Sequence, residues 1–478
     1  SADPQNVEAH TYLGVLADQS GNLKDAERHF ATAARLDPKS PSARNNYGAI
    51  LLRLERTREA AAEFEASLKL DSNQSKALFN LAQIRFGSNT PEGLHQAAEL
   101  FKRADALAPD AEIARALTVI TLRRNDRTQA ADYYRTYAAR AATASGGVTD
   151  STARAELGGA LMEAGLLSEA EAELKAALAL DSTNADAVVR LARVYLAQKD
   201  IPAAGRTLEA AIARKVEAAS IYSLLAVVYE KSNHFENAIP AMRLAIQLDP
   251  QSEKYRIQYA LLLTNADAPA AAVIRLDEAL KQFPKSARLW FARGLAHSRQ
   301  SKNDEAASDF ERAIQLDPNF APAHAYLGVA HVELGRYDEG IAHYERALKA
   351  DGKLAVVHYL IADTMSKQTS ADETKIEARL KSAVELDPTF APARLALAKT
   401  FNRQSKFAEA AAELEQVAKL DPGLAETYYQ LGRAYGRLKR PQEAREALAK
   451  FKNLSDTQKQ QEQNERREVV RRLADVLF

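Results

Sequence analysis

Cysteine is absent from all 478 residues. That excludes disulfide bridges, thiolate metal sites and a cysteine nucleophile together. The charge is equally bare: 64 basic against 64 acidic residues leave a net charge of zero. A nucleic-acid binder carries a basic excess and this chain has none, so neither nucleic acid nor an anionic membrane is an expected partner. No apolar run approaches the ~18 residues of a helical membrane span. The sequences that cradle phosphates, bind dinucleotides, build serine-hydrolase elbows or hold protease zinc (GxxxxGK[ST], GxGxxG, GxSxG, HExxH) are all missing. The expectation is therefore a protein that is not an enzyme and needs no cofactor. A cysteine-free chain that begins at Ser1 rather than methionine reads as a processed, exported product, bacterial and periplasmic or extracellular rather than cytoplasmic.

What the chain does have is a period. Ala26, Ala60, Ala97, Ala130, Ala170, Ala204, Ala238, Ala272, Ala306, Gly340, Ile376, Ala410 and Ala444 follow one another mostly at intervals of 34 residues, with extremes of 33 and 40. Four residues after each comes a large apolar side chain, from Phe30 and Phe64 to Leu414 and Leu448. A repeat of this length is one supersecondary unit copied many times, each unable to bury its apolar face alone. Length would otherwise suggest about three ordinary domains; a stack needs no central core.

The unit from Val7 to Ser40 shows how each copy is built. A first helix carries Leu13-Gly14, where a small residue admits a close neighbour. Gly21-Asn22 breaks it, both residues tolerating turn geometry. A second helix then places Ala26, Phe30 and Ala33 on one face. Pro38 stops it, because proline cannot continue a helix and forces the residue before it out of helical geometry.

This order of small, small, large and proline resembles the tetratricopeptide repeat family. The first-helix small residue recurs as Gly14, Gly48, Ala82, Gly158, Ala192, Ala226, Ala260, Gly294, Gly328, Ala362, Ala398 and Gly432, with Thr118 the one departure. Closing Asp-Pro pairs recur at Asp249-Pro250, Asp317-Pro318, Asp387-Pro388 and Asp421-Pro422, and Trp290 stands where the family prefers an aromatic residue. About thirteen repeats span Val7–Leu454. The resemblance implies an all-α, right-handed α-solenoid of helix pairs, with first helices lining a concave groove and second helices outside. It also implies a protein-binding scaffold.

Three stretches interrupt the period. Gly87–Gly93 and Thr369–Thr374 are expected to lengthen turns. Ser145–Asp150, with Gly146-Gly147 at its centre, divides the array into 1–144, about four repeats, and 151–454, about nine. Paired glycines lose the most entropy on ordering, so this stretch is either a flexible joint or a tolerated surface insertion. Ser1–Pro4 reads as the tail of a preceding repeat, leaving the start uncapped. The C-terminal segment 455–478 begins with a capping pair, Ser455 and Gln458, and about twelve polar residues then carry an apolar stripe some 18 Å outward. That stripe comprises Val469, Val470, Leu473, Val476 and Leu477, followed by Phe478. It either folds back as a cap or docks into another molecule, including a second copy, which head-to-tail would give rings or filaments.

Candidate groove residues follow from the resemblance. Asn46 and Asn80 occupy matching first-helix positions where related grooves hold a peptide backbone. Arg190 with Arg193, and Lys399, Arg403, Arg433 and Arg437 beside Tyr428 and Tyr429, form two basic stretches suited to acidic peptides. His297, His324, His331 and His358 lie on consecutive first helices; they are either packed rings or converging metal ligands. Two functional expectations result: a scaffold that self-assembles through its ends, or a monomeric adaptor holding an extended or acidic peptide, standing alone or as the repeat region of a larger assembly or enzyme. If Ser145–Asp150 is a joint, limited proteolysis of the native chain cuts preferentially near Gly146; digestion that spares this stretch removes the joint.

Overall fold

The computed structural model describes residues 5–143, 150–369, 371–454 and Arg472. Among them are twenty-six α-helices and no strand. They alternate as first and second helices and pair as six hairpins in each unit, beginning with α1 (Val7–Gln19) and α2 (Leu23–Leu36) and ending with α25 (Ala425–Arg437) and α26 (Pro441–Leu454). The expected all-α solenoid is present. No helix among the described residues is long and apolar enough to cross a membrane. The helices group into two compact units, Ser1–His234 and Phe235–Phe478.

Each hairpin is closed by the same local chemistry. Asn22 caps α2, its side chain accepting the Asp25 amide at 3.2 Å, and so meets one of the orphan donors of a helix start. The residue before it, Gly21, has φ +78°. The same left-handed position recurs as Glu55, Asn125, Lys199, Asn233, Ser301 and Ser405, among others. In each of these turns an amide reaches back over the helix end, as Arg56 does to the Leu51 carbonyl at 2.9 Å. The geometry is thus imposed by the hairpin, and glycine is used at only some of the turns.

The link between hairpins is just as regular. The Asp before the proline position accepts the amide two residues on, as Asp71, Asp317 and Asp387 do from Asn73, Asn319 and Thr389. The carbonyl that follows this Asp is then taken by the side chain four residues ahead of the first-helix small residue. Arg44, Arg256, Trp290, His324, Arg394 and Tyr428 donate in this way to Pro38, Pro250, Pro284, Pro318, Pro388 and Pro422. Chemically different side chains do one job: they satisfy a turn carbonyl that has no helical partner.

Packing inside a hairpin rests on small against large. A β-carbon on Gly14 would stand 2.7 Å from the Phe30 ring, on Gly48 2.8 Å from Phe64, and on Gly294 2.5 Å from Phe310. These rings are buried, and apolar clusters continue from each hairpin into the next within each unit. Phe310, for example, meets Phe291 and Tyr326, with centroids 5.4 and 5.8 Å away.

The irregular stretches resolve differently from the sequence expectation. Gly87–Gly93 does not lengthen a turn. Thr90 accepts the Gly93 amide at 3.0 Å, Pro91 sits where a helix needs no amide donor, and the extra residues become an added turn at the start of α6 (Pro91–Leu107). Likewise α8 (Arg127–Thr143) runs to 17 residues. By contrast, α21 (Ala355–Ser366) and α22 (Glu373–Leu386) are separated by six residues, of which 370 lies outside the described residues. The glycine pair Gly146-Gly147, Ser1–Pro4 and the apolar stripe Val469–Phe478 lie outside the described residues. On either side of 144–149, α8 is tied to the next hairpin by a buried network. Tyr134 and Tyr137 donate to the Glu173 carboxylate at 3.3 and 3.1 Å, and Arg154 pairs with it at 3.0 Å. Burial pushes the Glu173 carboxyl up, while these three donors hold the charged form in place.

Replacing Gly294 by valine, which puts a branched side chain against Phe310, is expected to destabilise the chain by about 1–3 kcal/mol. Urea denaturation followed by circular dichroism measures it; an unchanged midpoint would show that the close approach is dispensable.

Candidate protein-binding surface

First helices approach not only their own second helices but one another. Within the first unit, α3 (Pro41–Arg53) meets α5 (Ser75–Gly87), and α9 (Ser151–Glu163) meets α11 (Ala185–Ala197); in the second, α23 (Ala391–Arg403) meets α25. Second helices among the described residues do not meet to the same extent. Within each unit, first-helix side chains therefore pass from hairpin to hairpin as a row, while second helices stand apart from one another.

Asn46 and Asn80 lie on α3 and α5, which are in contact. Both are partly buried, and neither amide has a hydrogen-bond partner among the described residues. Beside them Asn45, which sequence reasoning passed over, is buried with its Oδ1 unpartnered. A buried amide oxygen without a donor is a standing cost of about 1–3 kcal/mol. The only signal for it in the sequence is polarity one residue away from Asn46.

The two basic stretches differ from expectation in their pairing. Arg190 is partly buried, bonded to Asp186 at 2.6 Å. It packs so tightly on Gly159 that a β-carbon there would fall 1.8 Å from its Nη1. It braces α9 against α11. Arg193, one position past the small residue, is exposed and has no partner among the described residues. Lys399 reaches Glu426 at 3.4 Å, and Arg403 grips Glu373 through two bonds of 2.8 and 3.1 Å. Arg433 and Arg437 lie over the rings of Tyr429 and Phe407, 6.0 and 5.8 Å from their centroids. Tyr429 is exposed and also meets Phe451. Tyr428 is buried on the turn carbonyl of Pro422, so the aromatic flank is one ring rather than two. The residues that keep cationic capacity are thus Arg193, Arg433 and Arg437.

The histidines are accounted for as packed rings. The Pro318 carbonyl can only accept, so His324 Nε2 carries its proton there at 3.2 Å, leaving Nδ1 to accept from His343 Nδ1 at 3.2 Å. His331 stacks on His343 with centroids 5.3 Å apart. His297 Nδ1 meets the buried Asp309 carboxylate at 2.9 Å, and His358 lies 3.5 Å from Arg379. Burial pushes the His324 and His358 rings down, and His343 down to about 4. No group of three or more acidic or histidine side chains among the described residues is arranged to hold a metal ion.

Profiles of the tetratricopeptide repeat match residues 1–41, 13–75, 48–112, 261–319, 292–355 and 395–456, with further matches at 161–228 and 219–252. Together they cover well over half of the chain. No curated protein matches it. Among solved structures, yeast Tom70 is similar at a TM-score of 0.43 and 16% identity, over 97% of this chain and 96% of that one. The APC/C hetero-tetramer Cut9–Hcn1 is similar at 0.37 and 16%, over 88% and 90%. YrrB, described as a repeat protein with an unusual peptide-binding site, is similar at 0.34 and 22%, over 37% and 91%. The period, the hairpins and the profile matches lead to one conclusion: this chain belongs to the tetratricopeptide repeat family, a scaffold for protein–protein interaction.

Proposed function

We propose that the chain captures an extended segment of a protein partner along its first-helix row, with Asn46 and Asn80 holding the partner's main chain. The observation that carries this reading is the pair of partly buried, unpartnered amides on touching helices. A side-chain amide offers both a donor and an acceptor, matching the alternation along a peptide backbone. Arg193 adds to the first unit a cation that suits acidic residues in that segment, and Arg433 and Arg437 offer the same chemistry on α25 of the second unit. The test uses a peptide selected against the full chain from a random display library. The double variant Asn46→Ala/Asn80→Ala is expected to weaken that peptide at least about tenfold with no change in melting temperature. Affinity equal to that of the unaltered chain sinks the reading.

A second reading rests on α1. Tyr12 and Leu16 are 71% and 61% exposed, whereas Ile50, Ile120 and Val194, at the repeat position of Leu16, are at most 2% exposed. That position is shaped to be covered by a second helix, so a second copy of the chain is the fitting occupant, giving a heterologous, head-to-tail contact. The C-terminal stripe of Val469, Val470, Leu473, Val476, Leu477 and Phe478, the other end expected in such assembly, lies outside the described residues. Arg472, the one described residue near it, pairs with Asp387 and lies over the Phe390 ring at 4.6 Å within its own unit. Light scattering during size exclusion is expected to show mass rising with concentration, and Leu16→Glu to return the chain to a monomer. A concentration-independent monomer would refute assembly through α1.

A further inference from the structure

The side chain four residues before the first-helix small residue meets the one just before the second-helix large residue. In three hairpins the two are an ion pair: Arg44–Glu63 and Arg154–Glu173 at 3.0 Å, and Arg394–Glu413 at 2.5 Å. In the hairpin of α15 (Glu253–Asn265) and α16 (Pro269–Gln282) both positions are arginine, Arg256 and Arg275. Arg256 keeps half of the arrangement, donating to the Pro250 carbonyl at 2.7 Å. The other half is missing: its Nε is buried with no hydrogen-bond partner, and no carboxylate among the described residues pairs with it. Arg275 instead turns along its own helix to Glu278, at 2.8 and 3.0 Å.

One other hairpin carries arginine at the second position, and there the conflict is relieved. Arg379 of α22 pairs with Glu345 on the preceding second helix, α20 (Tyr337–Ala350). The residue equivalent to Glu345 on α14 (Phe235–Leu248) is Arg243, which is exposed and has no ion-pair partner among the described residues. Both internal sources of a carboxylate are therefore replaced by arginine at this one place. The three guanidinium groups line a cleft of about 740 Å³ between α14, α15 and α16, whose only acidic residue is the already engaged Glu278. Leu244 in its wall is 43% exposed.

We infer that this cleft docks an acidic segment of a protein partner, whose glutamate or aspartate supplies the carboxylate that Glu63, Glu173 and Glu413 supply internally. Arginine is the side chain for such a task, since its planar fork pairs with a carboxylate through parallel bonds. The inference rests on the protein-binding reading but uses another surface. The position of Arg256 is two residues from that of Asn46 in the repeat, about 200° around a helix, so the cleft opens away from the first-helix row.

The test is fluorescence anisotropy of a labelled pentaglutamate peptide with the full chain. Binding is expected, weakening as salt rises. Arg275→Glu recreates the internal pair and is expected to weaken the peptide about tenfold or more without lowering the melting temperature. Arg243→Glu, which leaves the hairpin pair untouched, is expected to do the same. Arg288→Glu, exposed on the next first helix, controls for general charge and is expected to change nothing. Absence of pentaglutamate binding, affinity in the two cleft variants equal to that of the unaltered chain, or an equal loss in the control overturns the inference. So does displacement of the peptide by inorganic phosphate at concentrations where sodium chloride of equal ionic strength has no effect, since the cleft would then be a phosphate site. If the display-selected peptide still depends on Asn46 and Asn80, only the cleft fails and the first-helix reading stands.

Discussion

The constraint behind this structure is how closely the two helices of a hairpin can come together. Opposite the rings of Phe30, Phe64 and Phe310 the facing first-helix residue is glycine, and even one added carbon would lie within 2.5–2.8 Å of the ring. Interiors pack at crystal-like density and have no slack to absorb that carbon. A stack built this way has no central core, so its stability is a sum of hairpins and neighbour interfaces.

Polar chemistry is arranged around that contact in a fixed frame. In six links the turn carbonyl is taken by arginine, tryptophan, histidine or tyrosine from one repeat position. The neighbouring slot holds a glutamate in three repeats and an aspartate, a histidine, an arginine or an uncharged residue in the others. Because the frame is constant, a departure can be read as a difference in chemistry rather than in fold. Arg256 facing Arg275 is such a departure. So is the Glu173 network, which ties α8 to the following hairpin on either side of 144–149.

The basic side chains on the first helices show how a frame can also mislead. Arg190, Lys399 and Arg403 share repeat positions with groove residues of related proteins, yet each is spent on a carboxylate of its own chain. Exposed pairs of this kind contribute little to stability, but they remove cations from the surface. Arg193, Arg433 and Arg437 escape because no acid among the described residues pairs with them. Arg190 takes Asp186 from four residues earlier on its own helix, but for Lys399 and Arg403 the deciding carboxylates come from other helices, which a linear sequence does not reveal: Glu373 is 30 residues from Arg403.

By itself the sequence determined the repeat, the all-α class, the helix breaks and the small-against-large pairs. Those depend on periodicity and on local backbone preference, which act over a few residues. Tertiary structure decided the rest. It showed that Gly87–Gly93 becomes an added helical turn, that Tyr428 turns inward, and that the histidines pair with carbonyls, carboxylates and each other. It placed Asn45 in the interior and brought Arg243, Arg256 and Arg275 from three helices into one cleft. These outcomes turn on which side chains face each other across hairpins, and that is fixed by the three-dimensional stacking of repeats whose sequences differ at the positions that matter.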